Sequence, residues 1–402
     1  MSKFVRSLGA LVAAMTIAGA AGSVSAQQPA EVIIGAPNAM TGSFGEAGRR
    51  VVTGLQIAAE QINKDGGIKS MGGAKLKVLP VDTGDNPTQA ASVTQRLINE
   101  NKSRILVGAN TSAMTLSVQI EAERAEIPLL TTSYADPIVQ RGLKYTFKLP
   151  PQGSGLAELQ MAYIGELMKE LKGQAPKRAA VFVGSDSASQ SLLKATLDLA
   201  GKYGFEIVSQ ISFQSGLTDP TQIVSASLQN KPDVIFLSSF TSDVILVTRA
   251  LRAVNITVPV ITGGGGVSTD TIGATLGKAS ENLMGIVCWN WDLPIDGVKQ
   301  VLDGYKELEP KAPFPPASET IGTGYTLGMV IRAALEKAGT DDPKKVRETL
   351  ASLEVAVPMP GGKIAFAENG QNKFIQPIMV GWIDGQLRTV WPRQYQAAKP
   401  KL

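Results

Sequence analysis

Residues 31–67 decide the fold, and they read EVIIGAPNAMTGSFGEAGRRVVTGLQIAAEQINKDGG. The β-branched run at 32–35 is typical of a buried strand, and apolar residues between Val51 and Ile62 recur at helical spacing. The following Asp65-Gly66-Gly67 is typical of a helix C-cap and turn. A strand followed by an amphipathic helix predicts the first half of a βαβ unit.

The alternation of strand and helix continues along the chain. Further strands are predicted at 76–81, 104–108 and 127–131, and then at 179–184, 233–237 and 258–262. Helical patterns separate these strands, so each of the two runs predicts a parallel sheet with right-handed crossovers. Two such runs in 402 residues predict an α/β fold of two doubly wound parallel-sheet lobes. Near the end, strand-like segments flank Asp384-Gly385 and predict a β-hairpin.

The chain is predicted to cross between the lobes three times. The first joint is the proline-containing extended segment at 147–151, the second lies near 285–291, and the third lies at 357–362. These joints predict an N-terminal lobe made of residues 27–149 with 289–357. They predict a C-terminal lobe made of residues 150–288 with 358–402.

Residues 1–26 are predicted to be a cleavable secretory signal peptide. Lys3 and Arg6 precede an apolar run at 8–21, and Val24-Ser25-Ala26 places small residues at the −3 and −1 positions of a cleavage site. A membrane anchor is the alternative, but the run is shorter than the ~20 residues that a span needs. We therefore expect a periplasmic protein that begins at Gln27, with no direct insertion into the membrane.

The composition excludes several classes of function. The net charge of +4 falls to +2 once the two cations of the signal peptide are removed, so no nucleic acid partner is expected. Cys288 is the single cysteine and histidine is absent, which excludes Ser-His-Asp and Cys-His nucleophile systems and nearly all zinc sites. The glycine run at 263–266 lacks the pattern of a phosphate-binding loop. We expect a protein without catalysis, cofactor or metal.

Ligands of open α/β sheets bind beyond the carboxyl ends of the strands, where helix N-termini favour a carboxylate. The residues that follow predicted strands are 110–113, 132–135, 185–187 and 238–241. Ser112 and Ser133 are candidates for binding, with helix capping as the alternative role. Tyr134 and Phe240 are candidate binding aromatics, with packing at the rim as the alternative.

Five short stretches give the chain a resemblance to the periplasmic type I solute-binding family that includes the leucine/isoleucine/valine-binding protein. They are Asn38-Ala39-Met40-Thr41-Gly42, 54–68, Asp82 with 85–87, 106–108 with Ser112, and 127–129 with 145–148. The resemblance extends over essentially the whole mature chain. It implies a three-segment hinge, a cleft that closes on a small-molecule ligand, and delivery of that ligand to the membrane permease of an ABC transporter. A sensor or regulator of the same fold is the alternative.

The resemblance also implies site residues. In the family, the first lobe holds a ligand carboxylate through a serine after the third strand and through backbone and hydroxyl groups after the fourth. The second lobe adds an aromatic side chain. The matching positions in this sequence are Ser112, Ala113, Ser133, Tyr134, Ala135 and Phe240.

One departure from the family concerns the ligand ammonium. The acid that binds the ammonium in the family is replaced by glycine, at roughly Gly265. Asp186, Asp243 and Asp270 are the alternatives that would substitute for it. An α-amino acid, a carboxylic acid without an ammonium group, and an amide therefore all stay open as ligands.

Overall fold

Two β-sheets organise the chain in the computed structural model, which describes residues 30–42, 45–263 and 266–401. The predicted signal peptide at 1–26 lies outside these described residues. Across the described ranges, no helix combines the length and the apolarity required to cross a membrane.

The first sheet contains five parallel strands. They are β1 (Glu31–Asn38), β2 (Lys75–Asp82), β3 (Ile105–Val107), β4 (Leu129–Thr131) and β5 (Thr146–Lys148), in the spatial order β2-β1-β3-β4-β5. The connecting helices are α1 (Gly45–Lys64), α2 (Pro87–Asn99) and α3 (Ser112–Arg124). The helix α2 begins where the Asn86 side chain accepts hydrogen bonds from the N–H groups of Thr88 and Gln89.

The second sheet begins with a parallel set of strands. They are β6 (Arg178–Gly184), β7 (Glu206–Phe213), β8 (Val234–Ser238), β9 (Val260–Thr262) and β10 (Leu283–Val287). The helices around them are α4 (Gly153–Lys172), α5 (Ser187–Leu199), α6 (Thr221–Asn230), α7 (Thr241–Ala253) and α8 (Asp270–Leu276). The predicted α/β fold with two doubly wound sheets is confirmed.

The last part of the chain contributes elements that pack on or join both sheets. Three helices come first: α9 (Val298–Leu308), α10 (Glu319–Ala338) and α11 (Pro343–Ser352). A short antiparallel pair follows, made of β11 (Glu354–Ala356) and β12 (Lys363–Ala365). The strands β13 (Ile378–Ile383) and β14 (Gln386–Trp391) then form the predicted hairpin and complete the second sheet in the order β14-β13-β10-β9-β8-β6-β7.

Glycine lets α10 pack directly on α1 of the first lobe. A Cβ atom on Gly54 of α1 would lie 2.0 Å from the carbonyl oxygen of Ile321. In the reverse direction, a Cβ atom on Gly324 of α10 would lie 2.2 Å from the carbonyl oxygen of Val51. The two backbones are therefore in contact, and this contact fixes α10, with its N-terminal end, on the first lobe.

The segment around Lys148 brings distant parts of the chain together. The backbone N–H of Lys148 donates to the carbonyl of Gly370, and Asn372 donates back to the carbonyl of Lys148. The Asn372 side chain also donates to the carbonyl of Leu149, 3.3 Å away. These contacts favour a third joint after Asn372 rather than at 357–362. The limits of the two lobes stay a prediction.

Candidate functional site

A cavity of about 670 Å³ lies between the two sheets, at the carboxyl ends of their parallel strands. Its walls are the loops after β3 and β4 on one side, the loops after β6, β8 and β9 on the other, and the first turn of α10. This is the position in which open α/β sheets bind ligands. Six predicted residues line the cavity together: Ser112, Ala113, Ser133, Tyr134, Asp186 and Phe240.

Asn38, at the end of β1, builds the first wall. Its side chain is fully buried, and its amide nitrogen donates to the carbonyl of Val107 at 3.1 Å. Its amide oxygen accepts the N–H of Asn110 at 3.0 Å. Both bonds hold the loop after β3 against β1. The loop then leads into the N-terminus of α3, which lies at the cavity.

Ser112 begins α3 and joins two walls of the site. Its hydroxyl oxygen accepts the N–H of Ala135 at 3.2 Å, which connects the loop after β3 to the loop after β4. The side chain of Thr111, the N-cap residue, makes no capping hydrogen bond to this helix. The N–H groups of the first turn, at Ser112 and Ala113, have no acceptor within the helix and lie where the cavity begins. This terminus can therefore bind an anion.

Ser133 and Ala135 are placed differently from the expectation. The hydroxyl group of Ser133 is 2.9 Å from the carbonyl oxygen of Ala109 and 2.8 Å from the hydroxyl oxygen of Thr115. Ser133 lines the cavity, but its hydroxyl is already used inside the first lobe. Ala135 is fully buried outside the cavity lining, and its N–H is bonded to Ser112.

The second lobe contributes Asp186 and Phe240. Asp186 caps α5, because its carboxylate accepts the N–H of Ser189 at 3.0 Å. Phe240 lines the cavity immediately before α7. Gly265 lies outside the described residues, while Gly263 and Gly266 on either side of it line the cavity.

Two of the suggested substitute acids do not reach the cavity. Asp243 is fully buried and accepts the N–H groups of Gly216 and Leu217 at 3.1 and 2.8 Å. Asp270 accepts the N–H of Ala317 at 2.8 Å and pairs with Arg50. Neither aspartate lines the cavity.

Glu319, the first residue of α10, is an acid of the site that the sequence analysis missed. It lines the cavity and its residue surface is only 2% exposed. Its carboxylate accepts the Tyr134 hydroxyl at 2.8 and 3.0 Å and the N–H of Cys288 at 2.8 Å. Burial raises the pKa of Glu319 to about 7, although both of these hydrogen bonds act in the opposite direction. No motif marks this position, so only the fold reveals it.

Lys148 contacts the loop after β4 without lining the cavity. Its side chain is fully buried, and its ammonium donates to the carbonyls of Tyr134 at 2.9 Å and Pro151 at 2.7 Å. Burial lowers the pKa of Lys148 to about 7, while the charge of Asp136 acts in the opposite direction. Lys148 therefore fixes the backbone of Tyr134 in place.

Comparison with known proteins identifies the family. The family model of the periplasmic binding protein matches residues 31–386. This chain belongs to the periplasmic binding protein family. The predicted resemblance is confirmed, because "Leu/Ile/Val-binding protein homolog 8" of Brucella abortus is 26% identical over 386 residues, covering 92% of this chain and 93% of the relative.

Solved periplasmic binding proteins share the fold. The substrate-binding protein of a branched-chain amino acid transporter from Streptococcus pneumoniae, in complex with isoleucine, has a TM-score of 0.79 and 20% identity. The match covers 92% of this chain and 100% of that protein. A solute-binding protein of an ABC transporter from Rhodopseudomonas palustris, in complex with 3,4-dihydroxybenzoic acid, has a TM-score of 0.77 and 17% identity, covering 92% and 99%.

The lobes of this periplasmic binding protein touch on opposite sides of the cavity. Glu46 of α1 accepts the N–H of Asp270 at 2.8 Å and the hydroxyl of Thr271. Elsewhere the N–H of Asp136 donates to the hydroxyl oxygen of Ser191 at 3.2 Å. These contacts join the first-sheet side of the cavity to the second-sheet side.

Proposed function

We propose that this protein is the solute-binding component of an ABC uptake transporter, without catalytic activity of its own. In this proposal, residues 1–26 direct export to the periplasm. The lobes then close on one small carboxylate-bearing solute, and the closed form docks on a membrane permease. The observation that carries the proposal is the cavity of about 670 Å³, which both lobes line with the loops that follow their parallel strands.

The carboxylate is assigned to the wall formed by α3. Ser112 offers its hydroxyl there, and the first-turn N–H groups at Ser112 and Ala113 are directed to the cavity end of the helix. The helix dipole adds a favourable interaction with an anion of about 0.3–1 kcal/mol. Arg49 lines the mouth of the same cavity and contributes a positive charge.

The ligands named for solved relatives support a carboxylate on the ligand of this protein more firmly than they support an ammonium group on it. Isoleucine, leucine, 3,4-dihydroxybenzoic acid and benzoate are the ligands named for four of the solved proteins. All four ligands carry a carboxylate, but only the two amino acids carry an ammonium group. The proposed ligand class is therefore a small organic acid, either branched-chain amino acid-like or ammonium-free.

The test is ligand binding by residues 27–402 after unfolding and refolding, which removes any co-purified ligand. A panel of L-amino acids, aliphatic acids, aromatic acids and short amides is titrated by calorimetry and by thermal shift. We expect one class of carboxylate to raise Tm saturably, because it binds the native state preferentially. If only amides bind, or if none of the acids binds, the proposed ligand class is wrong.

A matched pair of serine variants tests the location of the carboxylate. Ser112→Ala removes the hydroxyl at the start of α3, and we expect an affinity at least tenfold weaker, since hydrogen bonds to charged groups contribute about 1.5–3 kcal/mol. Ser117→Ala changes the same helix away from the cavity and should bind like wild type. Equal affinities of the two variants would contradict the assignment.

The transport step has its own test. Cells that lack this chain but retain the permease should lose uptake of the labelled ligand, and a plasmid copy should restore uptake. A deletion strain with normal uptake and an altered transcriptional or behavioural response to the ligand would instead indicate a sensor.

A further inference from the structure

Glu319 is a buried acid that faces the ligand cavity. It shares the first two turns of α10 with Thr320 and Thr323, and all three residues line the cavity. Its carboxylate is held from the protein side by Tyr134 and by the backbone of Cys288. These two donors fix the orientation of the carboxylate before any ligand binds.

No cation of the described residues forms an ion pair with Glu319. Lys148, the buried lysine of this region, gives its ammonium to two backbone carbonyls. Arg50 pairs with Asp270 and Glu309 at 3.3 and 2.9 Å. An ionised carboxylate buried without a counter-ion is strongly unfavourable unless a partner is supplied. Burial raises the pKa of Glu319, and no cationic side chain of the described residues offsets this effect.

The two oxygens of Glu319 are not used equally. Oε2 accepts both the N–H of Cys288 and the Tyr134 hydroxyl, each at 2.8 Å. Oε1 has only the longer contact of 3.0 Å with the same hydroxyl. Each carboxylate oxygen can accept two hydrogen bonds, so Oε1 retains capacity for a donor from the cavity.

The other two acids of the cavity lining are partly exposed, whereas Glu319 is buried, and both already accept hydrogen bonds from the protein. Glu46 accepts the N–H of Asp270 and the hydroxyl of Thr271 on the opposite lobe. Asp186 caps α5. Among the described lining residues, Glu319 is therefore the acid best placed to accept a hydrogen bond from a ligand.

We propose that Glu319 binds a protonated amine of the ligand, so that the ligand of this cleft carries an amine as well as a carboxylate. The inference rests on the proposed function, because it assigns the second polar group of the same solute. The carboxylate binds at Ser112, and the amine supplies the positive charge that the protein does not provide at Glu319. The ligand class is thereby narrowed to amino acids and related amino carboxylates.

A dependence of affinity on pH follows. Around Glu319 the titratable groups are Tyr134 and Cys288, and Lys148 lies beyond them, facing Asp136. Burial raises the pKa of Tyr134 and of Cys288 well above their ordinary values, so neither loses a proton near neutral pH. Binding of an amine requires ionised Glu319, and we expect affinity to rise about tenfold between pH 6 and pH 8.

The experiment compares ligand pairs that differ only in the amine. Each L-amino acid of a panel is titrated beside its des-amino carboxylic acid, for example L-leucine beside 4-methylpentanoate. The proteins are the refolded wild type, Glu319→Gln, Glu319→Asp, and the control Glu307→Gln, whose glutamate is exposed and pairs with Lys64 on the surface. Circular dichroism establishes that every variant is folded.

The wild type should bind the amine-bearing member of one pair at least tenfold more tightly. Glu319→Gln should lose most of this preference and the rise of affinity with pH, while its affinity for the des-amino acid changes less than threefold. Glu319→Asp should keep part of the preference, and Glu307→Gln should keep all of it. Because Lys148 also titrates near neutrality, the pH effect is taken as the difference between wild type and Glu319→Gln.

Two contrary results have different meanings. Tighter binding of the des-amino acid by wild type, or an unchanged amine preference in Glu319→Gln, overturns the role of Glu319 and leaves a carboxylate-binding protein. Absence of binding by both members of every pair overturns the proposed function and this inference together.

Discussion

The hydroxyl oxygen of Tyr134 lies 2.8 and 3.0 Å from the two carboxylate oxygens of Glu319, although the residues are 185 positions apart in the chain. Tyr134 belongs to the loop after β4, and Glu319 begins α10. The contact therefore joins the loop after β4 to the N-terminal end of α10 at the cavity. It also places an acid among binding loops that contribute mainly hydroxyl and backbone groups.

Removing the Tyr134 hydroxyl should destabilise the protein. In Tyr134→Phe the buried carboxylate of Glu319 retains only the N–H of Cys288, and we expect unfolding to become easier by about 1–3 kcal/mol. Urea denaturation of the ligand-free protein measures the effect. Tyr203→Phe is the control: its hydroxyl also bonds a glutamate, Glu158 at 2.7 Å, but near the surface, and the loss should be about 1 kcal/mol or less. Equal losses would show that burial adds nothing to the Tyr134 contact.

The contribution of Glu319 to the stability of the protein should fall as pH rises from about 4.5 to 7. Glu319 has a pKa of about 7 in the folded chain against an ordinary value of 4.5, so the native state binds more protons in this window. Its contribution is therefore fully present below pH 4.5 and is lost as pH approaches 7, by about 3 kcal/mol in total. The free energy of unfolding of wild type minus that of Glu319→Gln, measured by urea at each pH, isolates this change.

Lys148 affects stability in the adjoining pH range, above pH 7, and there stability changes with pH in the opposite direction. Its pKa is about 7 in the folded chain against 10.5, so the unfolded state binds more protons above pH 7 and stability rises with pH there. Restricting the Glu319 comparison to pH 4.5–7 keeps the two effects apart. A difference curve that is flat over this range would contradict a raised pKa for Glu319.

Close packing of α1 on α10 should make Gly54 intolerant of any side chain. The Cβ atom of Gly54→Ala would lie 2.0 Å from a backbone carbonyl, which cannot move without separating the helices, and we expect a loss of about 1–3 kcal/mol. Gly165 in α4 is the control, since no atom lies within 4 Å of its added Cβ atom. Gly165→Ala should gain about 0.5–1 kcal/mol from helix propensity. Thermal and urea unfolding give the two changes, and a neutral Gly54→Ala would contradict the close approach.

The sequence predicts the fold well because the signals of that fold are local. Hydrophobic periodicity at 32–35 and 51–62 and the turn at Asp384-Gly385 act within a few residues, and the structure has β1, α1 and the final hairpin there. Chain order and crossover handedness then restrict the arrangement of strands.

The details of the site depend on contacts that sequence does not encode locally. The hydroxyl of Ser133 turns inward because it donates to the carbonyl of Ala109 and lies within hydrogen-bond distance of the Thr115 hydroxyl, and only packing of α3 on the loop after β4 creates that environment. Glu319 joins the cavity because α10 returns to α1. Neither fact has a signature in the residues next to Ser133 or Glu319.

Glu46 should control how long the lobes stay closed. Its carboxylate on α1 bonds the N–H of Asp270 and the hydroxyl of Thr271 across the mouth of the cavity, and an open arrangement would break both bonds. We expect Glu46→Gln to make the closed state less stable relative to the open state by about 1 kcal/mol. Because ligand leaves from the open state, its release should become about fivefold faster. Stopped-flow release measures this rate, and Glu60→Gln on the same helix, away from the cavity, should release like wild type.

A double-mutant cycle separates this inter-lobe contact from a direct contact of Glu46 with ligand. Thr271→Val removes the hydroxyl that Glu46 accepts, so its effect on release should be much smaller in the Glu46→Gln background than in wild type. Small-angle scattering of the ligand-free protein should show a larger radius of gyration for Glu46→Gln, because fewer molecules are closed. Additive effects of the two substitutions, with unchanged scattering, would mean that Glu46 acts on the ligand and not on the closure of the lobes.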